Sequence, residues 1–265
     1  MTAFHVMTGA GERYARLAIN KISISDVFDA LRRGIDDFRE KPSHYVFLCL
    51  MYPIAGIFLA LATSDANLLP IIFPLMSGFA LVGPIAAIGL YEISRRREAG
   101  LDTSWKHALE VRHSPALPSI IVGGLLLFGF FIVWLVAAQT LYTSLFGDVF
   151  PRSIGVFLSQ IFSTPQGMQL IIWGNLLGLV FAIVVLATTV VTFPLLLDRD
   201  VGLVAAMAAS IRATVRNPVP VFLWGLIVAA ALVIGTIPLF VGLALVMPIL
   251  GHATWHLYRK LVAPA

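Results

Sequence analysis

Long stretches without a charged residue limit what this chain can fold into. They cover residues 45–62, 69–91, 117–146, 168–197 and 217–258. Each is close to or longer than the roughly 20 apolar residues that carry a helix across a bilayer. None alternates polar and apolar residues as barrel strands do, so helices remain as the structure that satisfies the backbone within lipid. The chain is therefore predicted to be an all-α membrane protein.

The composition supports the same class. Hydrophobic residues make up 59% of the sequence and charged residues 12%, and the mean hydropathy is +0.92. Soluble domains carry about 25% charged residues, and a soluble fold of this size could not bury so much apolar surface. Lipid is expected to surround much of the chain.

The last uncharged stretch is too long for one crossing. As a single helix, residues 217–258 would extend about 63 Å, roughly twice the thickness of the hydrocarbon core. The sequence Gly235-Thr236-Ile237-Pro238 offers a break, because glycine and proline interrupt helices. This gives a fifth span over 219–234 and a sixth over 238–258, hence six transmembrane helices in all.

The basic residues indicate the orientation. Of the 18 Lys and Arg residues, only Arg152 falls in a segment that the six spans place on the second side of the membrane. The positive-inside rule puts the other side, with both chain ends, in the cytoplasm. We expect a cytoplasmic tail over 1–22 and a single membrane domain over 23–265.

An internal repeat is predicted within this domain. Each segment before an odd-numbered span has an apolar helical stripe followed by a proline, at Pro42, Pro115 and Pro218. The stripes are Val27, Phe28, Leu31, Ile35 and Phe38; Leu101, Trp105, Ala108 and Leu109; and Val204, Met207, Ala208, Ile211 and Val215. Such helices lie in the membrane interface. Three parallel units of interfacial helix plus transmembrane hairpin follow, over 23–92, 93–197 and 198–260.

Three stretches carry a family resemblance: KPSHYVFLCLMYPIAG over 41–56, SGFALVGPIAAIGLYEISRRRE over 77–98 and GHATWHLYRK over 251–260. Together they resemble the bacterial integral membrane protein family with domain of unknown function 2189. Some members are labelled as cytochrome c oxidase subunits. The resemblance implies a multi-pass inner-membrane protein and brings no catalytic residues with it.

The histidines are weak candidates for a metal or haem site. His252 and His256 are spaced i, i+4 and share one helical face. Haem-copper chemistry would need histidines at depth on other spans, whereas His44, His107 and His113 fall in cytoplasmic segments. Interfacial anchoring is the more common role for histidines near a helix end. A proton-linked cluster of His44, His113, His252 and Glu92 is the alternative.

Other polar residues have two interpretations each. Asn175, Gln139, Glu92 and His44 are candidates for a solute pathway or for hydrogen bonds between helices. The arginines of the sequence Arg95-Arg96-Arg97 are candidates for anionic-lipid contact, or they serve as an orientation signal. Glu92 is expected to pair with an arginine one turn away. Gly174 and Gly178 form a small-residue motif that predicts helix packing.

No phosphate-binding loop, dinucleotide fingerprint or hydrolase motif occurs, so we predict no catalytic residue and no cofactor. Two functions remain open: a transporter or channel for a small solute or ion, and a non-catalytic accessory or assembly factor of a larger membrane complex. A lipid or quinone enzyme is a third, weaker hypothesis. The predicted partners are the lipid bilayer and a membrane protein or a second copy of the chain, and not nucleic acid.

Overall fold

The computed structural model describes residues 17–40, 69–79, 83–104, 107, 111–148, 151, 153–238 and 241–264. Within them the regular structure is helical apart from one isolated bridge. The helices are α1 (Ile24–Glu40), α2 (Leu69–Phe79), α3 (Gly83–Ala86), α4 (Ile88–Glu98), α5 (Leu117–Phe146), α6 (Ile154–Ser163), α7 (Pro165–Thr189), α8 (Thr192–Asp198), α9 (Leu203–Arg216), α10 (Pro218–Thr236) and α11 (Leu243–Leu261). The all-α prediction is confirmed.

The chain divides into two compact units. The first draws on Met1–Met51, Gly83–Leu125 and Leu186–Ala265, and the second on Tyr52–Val82 and Leu126–Val185. In the first unit, α11 packs against α1, α4, α8 and α10. In the second, α2 packs against α6, and the indole Nε1 of Trp134 on α5 donates to the Pro74 carbonyl at 2.8 Å. Pro74 lies inside α2. A proline has no backbone N–H, so the carbonyl four residues earlier in its helix lacks its usual donor.

The two ends of the described chain are joined in the first unit. Ile19 and Val262 form an antiparallel bridge, and the Asn20 N–H donates to the Leu261 carbonyl at 2.8 Å. The Asn217 side chain holds the same segment, because its Nδ2 donates to the Asn20 carbonyl at 2.9 Å. Residues near the start and the end of the chain therefore lie side by side.

Among the described residues, three helical segments are long and apolar enough to cross a membrane: Leu117–Phe146, Pro165–Asp198, which comprises α7 and α8, and Pro218–Thr236. They correspond to the predicted third, fourth and fifth spans, and the predicted bounds of the third are confirmed. The predicted first span, 45–62, lies outside the described residues. The predicted break after the fifth span is confirmed, because α10 ends at Thr236 and α11 begins at Leu243.

Two predicted spans are interrupted in the structure. Within residues 69–91, the described residues form α2, α3 and the start of α4, and Ala87 separates α3 from α4, while residues 80–82 lie outside the described residues. The fourth span breaks at Val190 and Val191, between α7 and α8. Ser210 of α9 stabilises this second break, because its Oγ accepts from the Val191 N–H at 3.4 Å and donates to the Ala187 carbonyl at 2.8 Å.

The interfacial helix predicted before the third span is not a continuous α-helix in its described part. Residues 101–104 have no regular structure and 111–113 form a 3₁₀ turn, while Trp105, Ala108 and Leu109 lie outside the described residues. The Asp102 carboxylate accepts from the Ser104 N–H at 3.0 Å and pairs with His107 Nε2 at 2.9 Å. Such local side-chain bonds compete with helix formation.

A short apolar helix, α6, was not predicted. Ser153 caps its start by accepting from the Val156 N–H at 3.3 Å. At its end, the Thr164 hydroxyl donates to the Gln160 carbonyl at 2.6 Å and accepts from the Gly167 N–H at 3.0 Å. One threonine thus ends α6 and caps α7, because its hydroxyl satisfies an open backbone group of each helix.

Candidate functional site

The face that α1 presents to α11 is made of small residues. Val27, Ala30, Gly34 and Asp37 are buried, at spacings of three and four that place them on one side of the helix. A Cβ on Gly34 would lie 2.5 Å from the Ala253 backbone nitrogen, so the two helices approach each other as closely as a glycine allows. This close approach carries the Asp37 carboxylate into the interior.

Asp37 is the centre of a buried polar group that we call the Asp37 cluster, made of Asp37, Ser94, Arg97, His252 and His256. The Asp37 Oδ2 accepts from the Ser94 hydroxyl at 2.5 Å and from His256 Nε2 at 2.9 Å. Its Oδ1 accepts from the Arg97 guanidinium. Three helices, α1, α4 and α11, therefore meet at one carboxylate that is only 3% exposed.

These contacts keep Asp37 ionised. Burial would raise the pKa of its carboxyl group, but the hydrogen bonds from His256 and Ser94 and the Arg97 charge outweigh burial and hold the pKa below its usual value. Arg97 also pairs with Glu40, which neutralises part of the surrounding charge. The cluster is thus a paired buried ion, the form in which a buried charge is tolerated.

Ser94 and His252 form the inner part of the cluster. Ser94 has one hydroxyl proton, which the geometry directs to Asp37, so its oxygen is left to accept from His252 Nδ1–H at 2.8 Å. His252 is fully buried, and its Nε2 has no hydrogen-bond partner among the described residues. The imidazole is therefore held as the neutral Nδ1–H tautomer.

This order of contacts does not suit nucleophilic catalysis. A serine nucleophile gives its proton to an imidazole and must reach a substrate. Ser94 is fully buried and bonds the carboxylate directly, with the imidazole as a donor to it. The arrangement holds helices together and does not activate an oxygen.

The two histidines do not converge on one point. His256 contacts Asp37 directly, whereas His252 reaches it through Ser94, with 3.9 Å between Nδ1 and the Asp37 Oδ2. Over the described ranges, no group of three or more His, Cys, Asp or Glu side chains is placed to hold a metal ion. The metal or haem hypothesis for His252 and His256 gains no support from this geometry.

Glu92 is buried and pairs with Arg95, as expected from their spacing. Two hydrogen bonds join them, at 2.8 Å from Nε and 2.7 Å from Nη2, and Arg96 Nη1 lies 3.8 Å from the same carboxylate. Arg97 belongs to the Asp37 cluster. Each of the three arginines already has a carboxylate close by. Their contact with anionic lipid stays a prediction.

A second, partly exposed network was missed by the sequence reasoning. The Tyr258 hydroxyl donates to Asp198 Oδ2 at 2.6 Å, and Trp255 Nε1 donates to Glu98 Oε2 at 3.1 Å. Arg259 lies between the two carboxylates, 3.5 Å from Asp198 and 3.1 Å from Glu98. These two aromatic residues of α11 therefore bond to α8 and α4. The partners are distant in sequence, and no local pattern marks them.

The candidate pathway residues that the structure describes differ in environment. Asn175 is exposed on α7, and its Nδ2 donates to the Ile171 carbonyl of the same helix at 2.7 Å. Gln139 is half-buried on α5. His44 lies outside the described residues. His113 is exposed on a 3₁₀ turn, whereas Glu92 and His252 are buried.

The small-residue motif on α7 serves packing within the second unit. A Cβ on Gly178 would lie 3.4 Å from the Trp134 ring, and one on Gly174 would lie 3.9 Å from Leu141, so both glycines face α5. The packing role predicted for Gly174 and Gly178 agrees with these contacts. Asn175 lies beside the motif but points away from the chain.

Comparison with known proteins gives one match. Residues 72–198 match the family model described as predicted integral membrane protein (DUF2189). No match was found among curated proteins or among solved structures. The matched region contains α5 and α7, two of the three long apolar helices, together with Glu92 and the arginines that follow it. Residues 72–198, just under half of the chain, are thus similar to the DUF2189 family of predicted integral membrane proteins, which is the family that the sequence resembles.

Proposed function

We propose that the protein is a non-catalytic accessory component of a membrane-protein complex, and that α7 binds the partner. The observation that carries this proposal is the outward-facing amide of Asn175. Only 22–33% of the most apolar stretch of each long helix is buried within the chain, so most of these side chains face lipid or another protein. Among them, the Asn175 amide is the polar group that is least compatible with a lipid environment.

The position of Asn175 explains why a partner is needed. It lies ten residues after the start of α7 at Pro165, which places it about 15 Å along the helix, close to the middle of a bilayer. One amide N–H is used within its own helix, by the Ile171 carbonyl. The remaining groups would face hydrocarbon, where a polar amide costs free energy unless another helix supplies a hydrogen bond.

The non-catalytic part of the proposal rests on the buried networks. Ser94, His252 and Asp37 are the described residues whose types most resemble a catalytic set, and they are buried and bonded to one another. A substrate could not reach Ser94 without separation of α1 from α11. Their geometry favours a structural role.

A transporter or channel is the second candidate function. It is favoured by the break in the predicted second span at Ala87, between α3 and α4, and by Pro74 in α2 and Pro84 in α3. Discontinuous helices expose backbone groups that bind substrates or ions in many transporters. Pro248 lies inside α11 as well.

The topology proposed with this function has six spans and both ends in the cytoplasm of a bacterial cell. The hydrogen bonds between residues 18–20 and 261–263 favour an even number of crossings, because residues in contact lie on one side of the membrane. The long apolar helical segments found in the described part of the chain are three, an odd number, which favours at least one further crossing. The repeat gains support from α1 and α9, which both bury small residues and expose part of the predicted stripe.

The experiment compares Asn175→Leu with a matched control, Thr140→Val. Thr140 is also exposed on a long apolar helix and also bonds its own helix, through the Val136 carbonyl at 2.8 Å. Native mass spectrometry after purification in mild detergent measures which complexes remain. We expect a partner, or a second copy, in near-equal amount with the wild type and the control, and its loss with Asn175→Leu.

Two results would contradict the proposal. Recovery of the wild type without a partner would contradict the proposed complex. A complex that persists unchanged in Asn175→Leu would contradict the role assigned to Asn175. A solute flux in proteoliposomes that contain only this protein would favour the transporter instead.

A further inference from the structure

We propose that His252 is a proton-binding switch that controls whether α1 stays docked on α11. In the docked state His252 is neutral. When α1 separates, the imidazole becomes accessible and takes up a proton. Acidification would therefore favour the released state. The proposal rests on the geometry of the Asp37 cluster and on the Nε2 atom of His252, which has no hydrogen-bond partner within the described residues.

The docked cluster disfavours a proton on His252. Nδ1 already carries a hydrogen, which it donates to Ser94 at 2.8 Å, so a second proton must go to Nε2. Nε2 is fully buried and has no hydrogen-bond partner within the described residues. The Leu90 backbone is near enough to stabilise a protonated ring, but an imidazolium there would be a charge buried away from water, and burial outweighs this contact.

The charged groups that act on His252 are Asp37 on α1, Arg97 on α4 and His256 on α11 itself. The other charged residues of the helices packed on α11 are Asp26, Asp29, Arg32, Arg33, Asp36, Arg39 and Glu40 on α1, Glu92, Arg95, Arg96 and Glu98 on α4, and Asp198 on α8, followed by Arg199, with Arg259 and Lys260 on α11, while α10 has none. Asp37 attracts a proton, but its charge is shared with Arg97 and His256, and Ser94 lies between it and His252. Arg97 repels one. The balance favours the neutral ring.

Separation of α1 changes each of these conditions. Gly34 lies against Ala253, the neighbour of His252 on α11, so α1 covers this part of the helix. When α1 leaves, Asp37 leaves with it and Ser94 loses the carboxylate that orients its hydroxyl. The ring then meets water and can protonate at the ordinary histidine pKa of about 6.5.

Linkage gives the size of the effect. A proton that binds only the released state at a pKa of about 6.5 favours release about 30-fold more at pH 5 than at pH 7.5. The carboxylates do not oppose this, because hydrogen bonds hold the pKa values of Asp26 and Asp29 at about 2 and that of Asp37 below its usual value. These groups stay ionised across the range.

His256 must be separated from His252 in the test, because it is a second imidazole and bonds the same carboxylate. The substitution His256→Gln keeps a donor in the place of Nε2 and leaves His252 as the imidazole of the cluster. The substitution His252→Asn keeps a donor in the place of Nδ1 and cannot take up a proton. We therefore compare the single variant His256→Gln with the double variant that also carries His252→Asn.

Hydrogen exchange of the α1 amides, Ile24–Glu40, measures docking in the full chain in lipid nanodiscs. Exchange times are scaled to the intrinsic rate at pH 7.5 and pH 5. We expect protection in His256→Gln to fall about 30-fold at the lower pH and to stay constant in the double variant. An equal fall in both variants, or no fall in the first, would overturn the proposal.

Histidine ¹⁵N NMR of the unsubstituted protein supplies a readout that needs no folded variant. We expect His252 to remain the neutral Nδ1–H tautomer while α1 is protected, and its imidazolium signal to appear together with loss of protection. An imidazolium at His252 in protein whose α1 amides remain fully protected would rule the switch out.

Discussion

Replacing Gly34 with alanine tests the contact that brings the Asp37 cluster together. The added Cβ would lie 2.5 Å from the Ala253 nitrogen, 2.6 Å from its Cβ and 2.7 Å from its Cα. Carbon atoms in contact stay about 3.5–4.0 Å apart, so α1 and α11 would have to separate by about 1 Å. Two of these three atoms belong to the α11 backbone and cannot move aside as a flexible side chain would.

The expected cost follows from two opposing terms. Overpacking a close contact destabilises by about 1–3 kcal/mol. Alanine is a better helix former than glycine, and this difference offsets up to about 1 kcal/mol of the overpacking cost. We expect a net loss of about 1–2 kcal/mol in the free energy of unfolding. Gly129→Ala is the matched control, because a Cβ there has nothing within 4 Å, and we expect it to be neutral or slightly stabilising.

Reversible denaturant unfolding in detergent micelles measures both variants, and hydrogen exchange over Ile24–Glu40 shows where stability is lost. We expect Gly34→Ala to lower the stability and the protection of α1 together. A Gly34→Ala protein that is as stable as the wild type, or that gains as much as Gly129→Ala, would refute the close packing of α1 on α11.

The remaining predictions concern the same contacts and one helix corner. Asp37→Asn should reduce α1 protection at neutral pH by about 1–3 kcal/mol, because it removes the charge on a buried hydrogen-bonded carboxylate, and hydrogen exchange would show it. Lys260→Met should cost up to about 1 kcal/mol, since Lys260 lies 2.9 Å from Asp29 in a partly exposed pair. The pKa of Asp29 is lowered to about 2, first by Lys260, so this difference is present above about pH 4 and lost as the pH falls towards 2 in thermal unfolding scans. Gly167→Ala should cost about 1–3 kcal/mol in denaturant unfolding, because its Cβ would overlap the Ile161 carbonyl oxygen at the α6–α7 corner.

The membrane class and several span positions could be predicted because they depend on local composition. A helix that crosses lipid must be long and apolar along its own sequence, so Leu117–Phe146 is visible without any knowledge of its neighbours. The break near Gly235 is visible for a similar reason. The interruption at Val191 is not, because Ser210, a residue of α9, satisfies its backbone.

The Asp37 cluster could not be predicted because its members are far apart in the chain. Asp37 is separated from Ser94 by 57 residues and from His256 by 219, and nothing local distinguishes it from its neighbour Asp36. The large apolar residues of α1 mark one helical stripe, yet Phe28 in that stripe is 53% exposed. The small residues at 27, 30, 34 and 37 were the available signal for the buried face.

The labelling of two introduced cysteines tests most directly whether the two ends of the chain lie together on one membrane face. Lys21 and Pro264 are exposed beside the joined segments 18–20 and 261–263. With Cys49 replaced by alanine, Lys21→Cys and Pro264→Cys are each treated with a membrane-impermeant thiol reagent in right-side-out and inside-out vesicles. We predict that both positions are labelled in inside-out vesicles and that neither is labelled in right-side-out vesicles. Labelling of the two positions from opposite sides would contradict it.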